Sequence, residues 1–268
     1  MRRQHVIDAG RDGEAHAHAR LLAGAHTMVL HVPGGPAGSE QAHPQWTILL
    51  PLAGHIVWWT GQYPGRREAG VIFPPRVPYR ASSRAGHISV FIDSWFQGLG
   101  PGQHTAVPLG DPTVSHLRFL WSRADVADLD ESAREALAYL RREGVLPPAV
   151  VIDPRVETAL RDLRAAECVD HLAAGVGLSP SRLRALIRDL TGISPARLRM
   201  WQRLRAAMLS LPDTPIALAA ADAGFADQAH LTRTTTRLVG RTPGELARTL
   251  RTARTSNLNR RAPVVAGR

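Results

Sequence analysis

Two stretches of this chain repeat each other at a spacing near 48 residues, and that repeat limits the possible folds more than any other feature. In the first, Gly177 to Leu183 (GLSPSRL) leads on to Gly192, Ile193, Ser194 and Pro195. In the second, Gly224 to Leu231 (GFADQAHL) leads on to Gly240, Arg241, Thr242 and Pro243. Each copy has a small residue four positions before its first glycine (Ala173, Ala220) and an apolar residue directly after it (Leu178, Phe225). The glycine permits a left-handed turn, and the alanine lets two helices approach closely. Ser179 before Pro180, and Asp227 in the matching place, are N-cap residues. Thr242 with Glu245 forms a capping box, and Ser194-Pro195 and Thr214-Pro215 read as two more helix starts. The expectation is five or more capped helices containing two copies of helix, tight turn, helix.

The second helix of each copy has two distinct faces. Leu183, Leu186, Ile187 and Leu190 form one apolar stripe, which leaves Ser181, Arg182, Arg184, Ala185 and Arg188 outward. In the other copy Leu231, Leu238 and Val239 point inward, which leaves Gln228, Ala229, His230, Arg233, Thr234 and Arg237 outward. Arginine pairs bidentately with guanine and glutamine with adenine, while neighbouring arginines hold phosphates. A solvated helix face would look similar in one copy, but two spaced copies favour DNA-reading helices.

The charge distribution agrees. The chain contains no lysine; up to residue 149 it carries 14 Arg against 13 Asp and Glu, and beyond it 19 against 10. The excess therefore lies in the carboxy-terminal part and points to a polyanionic partner there. The apolar runs (Trp46 to Leu52, Ile56 to Trp59) fall far short of the roughly 20 residues a membrane helix needs. The amino terminus lacks a signal-peptide core, and Cys168, the single cysteine, excludes an internal disulfide. A cytoplasmic protein with no membrane contact is expected.

Ahead of the repeat, Thr47 to Leu50, Ile56 to Trp59, Val71 to Phe73 and Ile88 to Ile92 read as short strands separated by Gly and Pro. Leu117, Leu120 and Trp121, then Ala133, Ala136, Leu137 and Leu140, follow helical spacing, and Pro147-Pro148 makes a hinge. The expected division is a β-rich domain over 1–112, a helical connector over 113–152, a DNA-binding domain over 153–252 and a disordered tail over 253–268.

The segment from Asp153 to Leu250, above all Ala220 to Arg233 followed by Gly240 to Pro243, resembles the DNA-binding domain of AraC/XylS-type transcriptional regulators. Pro195, Arg203 and Ala207 fall in the matching linker helix, here Ala196 to Leu211. More weakly, Ala42 to Trp46 and Gly70 to Tyr79 resemble the cupin-like sensor domain of the same family. The resemblance implies an α+β chain: a cupin-like β-barrel, then an all-α domain with two helix-turn-helix units joined by one helix. It further implies a one-component regulator with double-stranded DNA as partner, an RNA polymerase contact, a small-molecule effector and a homodimer. The expected DNA contacts are Ser181, Arg182, Arg184, Arg188, Gln228, His230, Arg233 and Arg237. The family usually has an aromatic core residue where Ile187 and Thr235 stand, so the second unit is expected either to be less well packed or to lean on Trp201 and Phe225.

For a ligand, the candidates are His43, Trp46, Trp58 and Tyr79, with Tyr63, Trp59 and Trp95 as further aromatics, although such aromatics more often fill a barrel core. Catalytic cupins hold a metal with clustered histidines. Here Gln45 and Tyr79 stand at two of those places, so neither a metal nor another cofactor is expected. The pairs His16 with His18 and His26 with His31 have no acidic or cysteine partner at ligand spacing. The competing reading is a cupin-class metal-dependent enzyme with an accessory nucleic-acid-binding domain. The absent ligands, and the absence of any nucleophile triad or phosphate loop motif, weigh against it.

Overall fold

A computed structural model describes residues 21–102, 105–125, 127–164, 166, 168–248 and 250. The expected tail and the His16 and His18 pair lie outside the described residues. The strands are β1 (Leu21–Ala23), β2 (Thr27–Val32), β3 (Trp46–Pro51), β4 (Ile56–Thr60), β5 (Tyr63–Glu68), β6 (Gly70–Phe73), β7 (Arg80–Ser83), β8 (His87–Ile92) and β9 (Val107–Leu109). The apolar runs read as strands from the sequence sit within β3, β4, β6 and β8.

These strands form two antiparallel sheets rather than the expected closed barrel. One has six strands in the order β1-β2-β8-β3-β6-β9, the other three in the order β5-β4-β7. The reason lies in the segment 33–45. Pro33, Pro36 and Pro44 have no amide to donate, and between β2 and β3 the described pairing is a single bridge, Gln41 to Tyr79. That side is therefore closed by loop. β3 and β8 are buried along their whole length because both faces of the large sheet are covered. Ile48, Leu50, Val90 and Ile92 pack with helices α1 (Asp111–Arg123) and α2 (Leu129–Arg142), while Leu49, Val71 and Phe73 meet Ile56 and Trp58 of the small sheet.

The carboxy-terminal part is helical: α3 (Pro154–Asp162), α4 (Val169–Gly175), α5 (Pro180–Thr191), α6 (Pro195–Ser210), α7 (Ile216–Asp222) and α8 (Gln228–Val239), with helix again at 243–248. The caps follow the expected residues, with one correction. Ser179, Ser194 and Asp227 accept from the amides of Arg182, Arg197 and His230, and Thr242 and Glu245 exchange hydrogen bonds. Thr214 does not cap: α7 begins after Pro215 with no side-chain cap. Asp153 is a further cap, accepting from Arg155 at 2.9 Å.

These helices are built around two cores, and each takes residues from the β region. Val156, Leu160, Leu183 and Leu198 enclose Trp95, whereas Trp201, Leu204, Phe225 and Leu231 enclose Met28, Leu30 and Phe91. The segment expected to hinge is tied down as well: Val150 donates to Gly98 at 2.9 Å and Arg141 to Gln97 at 2.6 Å.

Both α5 and α8 end on a left-handed glycine, Gly192 at φ 71° and Gly240 at φ 73°. At Gly192 an added Cβ would meet ordinary contacts, the nearest being Pro101 at 3.5 Å, so the backbone alone resists substitution. Gly192→Ala should therefore cost about 1–2 kcal/mol of stability, read from urea denaturation. An unchanged midpoint would contradict the left-handed cap.

Candidate nucleic-acid interface

The two helix pairs share one local construction. In α4–α5 the amide of Leu178 donates to Ala173 at 2.9 Å across the turn at Gly177; in α7–α8 the amide of Phe225 donates to Ala220 at 2.9 Å across Gly224. Both turn glycines are left-handed, at φ 67° and 77°. The small Ala173 and Ala220 are fully buried between the helices. The joining helix α6 braces the turn of the second pair, where Arg203 donates to Gly224 at 3.1 Å, and the end of α3, where Arg199 donates to Leu163 at 3.1 Å.

On the outer faces, Ser181, Arg182, Arg184 and Arg188 of α5 are exposed, as are Gln228, Arg233 and Arg237 of α8. His230 is half-buried, its ring edge-on to Phe225 at 5.2 Å. Thr234 departs from expectation: it is 2% exposed and points inward. It stands three residues after Leu231, so helical periodicity puts it on the buried face. Thr235, also buried, donates its hydroxyl to Leu231 at 2.7 Å, so a polar side chain at this core position has its partner within its own helix. Trp201 and Phe225 belong to the core cluster that holds Leu231 and Val239 of α8. Arg184 is paired with Asp170 of α4 at 2.7 Å. Both groups are exposed, and such a pair contributes little, so the guanidinium can exchange this partner for another anion.

The ligand candidates are not gathered in one pocket. Trp58 and Tyr79 are core residues at 1% exposure, in a chain of rings that runs from Trp58 through Phe73 to Tyr79 and His43. Trp46 lies in a different core and donates its indole N–H to Gly100 at 2.9 Å. Trp95 packs against the helices, as described above. Gln45 is occupied by a hydrogen bond to the buried carboxylate of Asp93. Among the described residues no group of three or more His, Cys, Asp and Glu side chains is placed to hold a metal ion.

Burial pushes the His43 imidazole down to about 3, and burial with the nearby positive charge of Arg241 pushes His87 down to about 4. Both rings are thus held neutral in the fold but take up protons once unfolded. Stability should be full above pH 6.5 and fall as pH drops below it. At pH 5.5 the loss should be about 1.4 kcal/mol for each ring. Urea denaturation at pH 8 and pH 5.5 measures this, and the double variant His43→Asn, His87→Asn should flatten the difference. Equal pH dependence in that variant would contradict the assignment.

Sequence reasoning missed the contacts that join the β region to the helices. Arg205 of α6 donates to the carbonyls of Gly24, Ala25 and Thr27 and lies 3.9 Å from Asp93. Arg76 donates to the carbonyl of Gly192 at 2.8 Å, and Ser39 to that of Gly240 at 3.4 Å. The glycines ending α5 and α8 are thereby each held from the β region, by two loops that the Gln41–Tyr79 bridge connects. The capping glycines were visible in the sequence; nothing in it marked Arg76 or Ser39 as their partners.

A β-rich amino-terminal region thus precedes paired, capped helices that present arginine, an arrangement of the DNA-binding kind. Residues 172–249 match the helix-turn-helix domain family, in its AraC-type form. No curated protein matches by sequence. Among solved structures, ToxT from Vibrio cholerae O395 aligns with TM-score 0.56 at 10% identity, over 84% of this chain and 97% of that one. Wild-type ToxT from Vibrio cholerae strain SCE256 with a bound unsaturated fatty acid gives TM-score 0.56 and 11% identity, over 84% and 95%. At these identities the likeness is one of fold. Among the described residues no helix is long and apolar enough to cross a membrane.

Proposed function

We propose that this protein is a sequence-specific, effector-responsive regulator whose α4–α5 and α7–α8 pairs are two DNA-reading units. The observation that carries this reading is the duplicated turn geometry with exposed Arg182 and Arg184 on the early turns of α5 and exposed Gln228 and Arg233 on those of α8. In this reading α5 and α8 enter successive major-groove segments about one helical turn (~34 Å) apart on one face of the duplex. Ser181, Arg184, Gln228, His230 and Arg233 reach base edges, while Arg182, Arg188 and Arg237 serve the phosphates. The domains run as the sequence divides them, the β-rich region acting as a sensor or dimerisation module; ToxT with its bound fatty acid supports an organic effector there. An RNA polymerase contact and a cytoplasmic location belong to the same reading, which assigns no catalysis.

Arg184→Ala and Arg233→Ala should each weaken binding to a selected operator by about 1–3 kcal/mol while changing affinity for random duplex little. Fluorescence anisotropy with both DNAs decides this. An equal loss on the two would reduce these arginines to phosphate contacts.

A further inference from the structure

A cleft of about 360 Å³ separates the β region from the helical unit, and three arginines line it: Arg76, Arg197 and Arg237. Arg76 comes from the loop after β6, Arg197 from the first turn of α6 and Arg237 from the last turn of α8. Among the described residues no carboxylate lines the cleft; Ile193 and Leu238 give it an apolar wall. Like charges facing one another across a partly enclosed space raise the local potential and favour an anion there.

His43 makes the cleft more than a basic surface. Its ring lines the cleft, is 2% exposed, and neither of its nitrogens finds a hydrogen-bond partner among the described residues. A buried polar group left in this way is costly unless a ligand completes it. Arg76, moreover, is held with a left-handed backbone at φ 70°, its own amide donating to the His43 carbonyl at 2.7 Å. Such backbone strain in a side chain other than glycine persists where the surrounding structure imposes it, and it concentrates at ligand clamps.

We propose that this cleft binds a small organic dianion, a phosphomonoester or an aromatic dicarboxylate. Its charged end is held by Arg76, Arg197 and Arg237 with a hydrogen bond from His43, and its body lies on Ile193 and Leu238. Three guanidinium forks suit tetrahedral or planar oxyanions, and a single negative charge would leave two of them facing each other unneutralised. The bound anion would join the β region to the linker helix and to the end of α8. It would also compete with Gly192 for the Arg76 guanidinium, which gives the ligand a route to α5. This site rests on the reading of the chain as an effector-responsive regulator and supplies the chemical class of the effector.

Titration calorimetry on the full chain without DNA tests it, with phenyl phosphate, phthalate, benzoate and benzyl alcohol as probes. At least one of the two dianions should bind saturably at one site per chain, and which of them binds tighter names the acid group. Benzoate should bind about tenfold more weakly and benzyl alcohol not at all, and Arg76→Gln or Arg197→Gln should each weaken the dianion about tenfold. Both arginines are exposed, and the melting curves of the variants show that they remain folded. A short random duplex shares only Arg237 with the cleft, so it should weaken dianion binding by no more than about threefold. Absence of saturable binding by either dianion, binding that survives both substitutions, or displacement by the duplex would overturn the site, the last assigning the cleft to the DNA backbone. Because no operator is present, a chain that binds duplex but neither dianion overturns the site and spares the reading as a DNA-binding regulator.

Discussion

Trp201→Ala should destabilise the whole protein by about 3–5 kcal/mol, the usual cost of emptying a large aromatic site in a core. Trp201 is 1% exposed in the middle of α6, with its ring 5.6 Å from His43 and 5.9 Å from Phe91 of the β region. The same cluster holds Phe225 and Leu231 of the second helix pair. The substitution therefore opens a cavity where three parts of the chain meet, and no single part can move in to fill it. Trp201→Phe should recover most of the loss. The indole N–H has no hydrogen-bond partner among the described residues, so the phenyl ring gives up bulk but no bond. Urea denaturation followed by circular dichroism gives both values. A loss below 1 kcal/mol for the alanine variant would mean that the β region and the helices do not share this core in solution.

Raising salt from 50 to 200 mM should weaken DNA binding by about fortyfold or more, as expected for three or more phosphate contacts. The expectation comes from the placement of charge. Beyond residue 149 the chain has 19 Arg against 10 acidic residues, and Arg182, Arg184, Arg188, Arg233 and Arg237 stand exposed on α5 and α8. Each arginine that neutralises a phosphate releases condensed counterion, so log affinity should fall linearly with log salt. Anisotropy titrations at four or five salt concentrations measure the slope. A flat line would remove the electrostatic basis for reading this half of the chain as a DNA-binding surface.

The helical half was legible because its signals are local. A glycine that must be left-handed, an alanine that must be small and a Ser-Pro cap each declare themselves within a few residues, and the observed α6, Pro195–Ser210, lies one residue from the expected span. Thr234 reads as outward by its polarity, but its position three residues after Leu231 puts it inside. The β region was legible as strands but not as sheets. Barrel closure depends on whether the proline-rich segment 33–45 pairs along its length, and pairing partners are distant in sequence. The interdomain contacts were invisible for a similar reason: Met28, Leu30 and Phe91 alternate as any strand residues would, and nothing local says that the face they cover is helical. The same holds for the aromatic residues, whose types suit a ligand pocket or a core: Trp46, Trp58 with Tyr79, and Trp95 lie in three separate cores. His43 was singled out because it stood where a cupin places a ligand; its lack of a hydrogen-bond partner and its place beside three arginines emerge only in three dimensions.

The central claim is that α5 and α8 read two separate stretches of one DNA site. Selection of duplexes from a random-sequence library by the full chain, followed by sequencing, tests it most directly. The account predicts a bipartite motif with two conserved blocks about one helical turn (~10 bp) apart, one relaxed by Arg184→Ala and the other by Arg233→Ala. Enrichment of no motif, or of a single block that both substitutions relax alike, would contradict it.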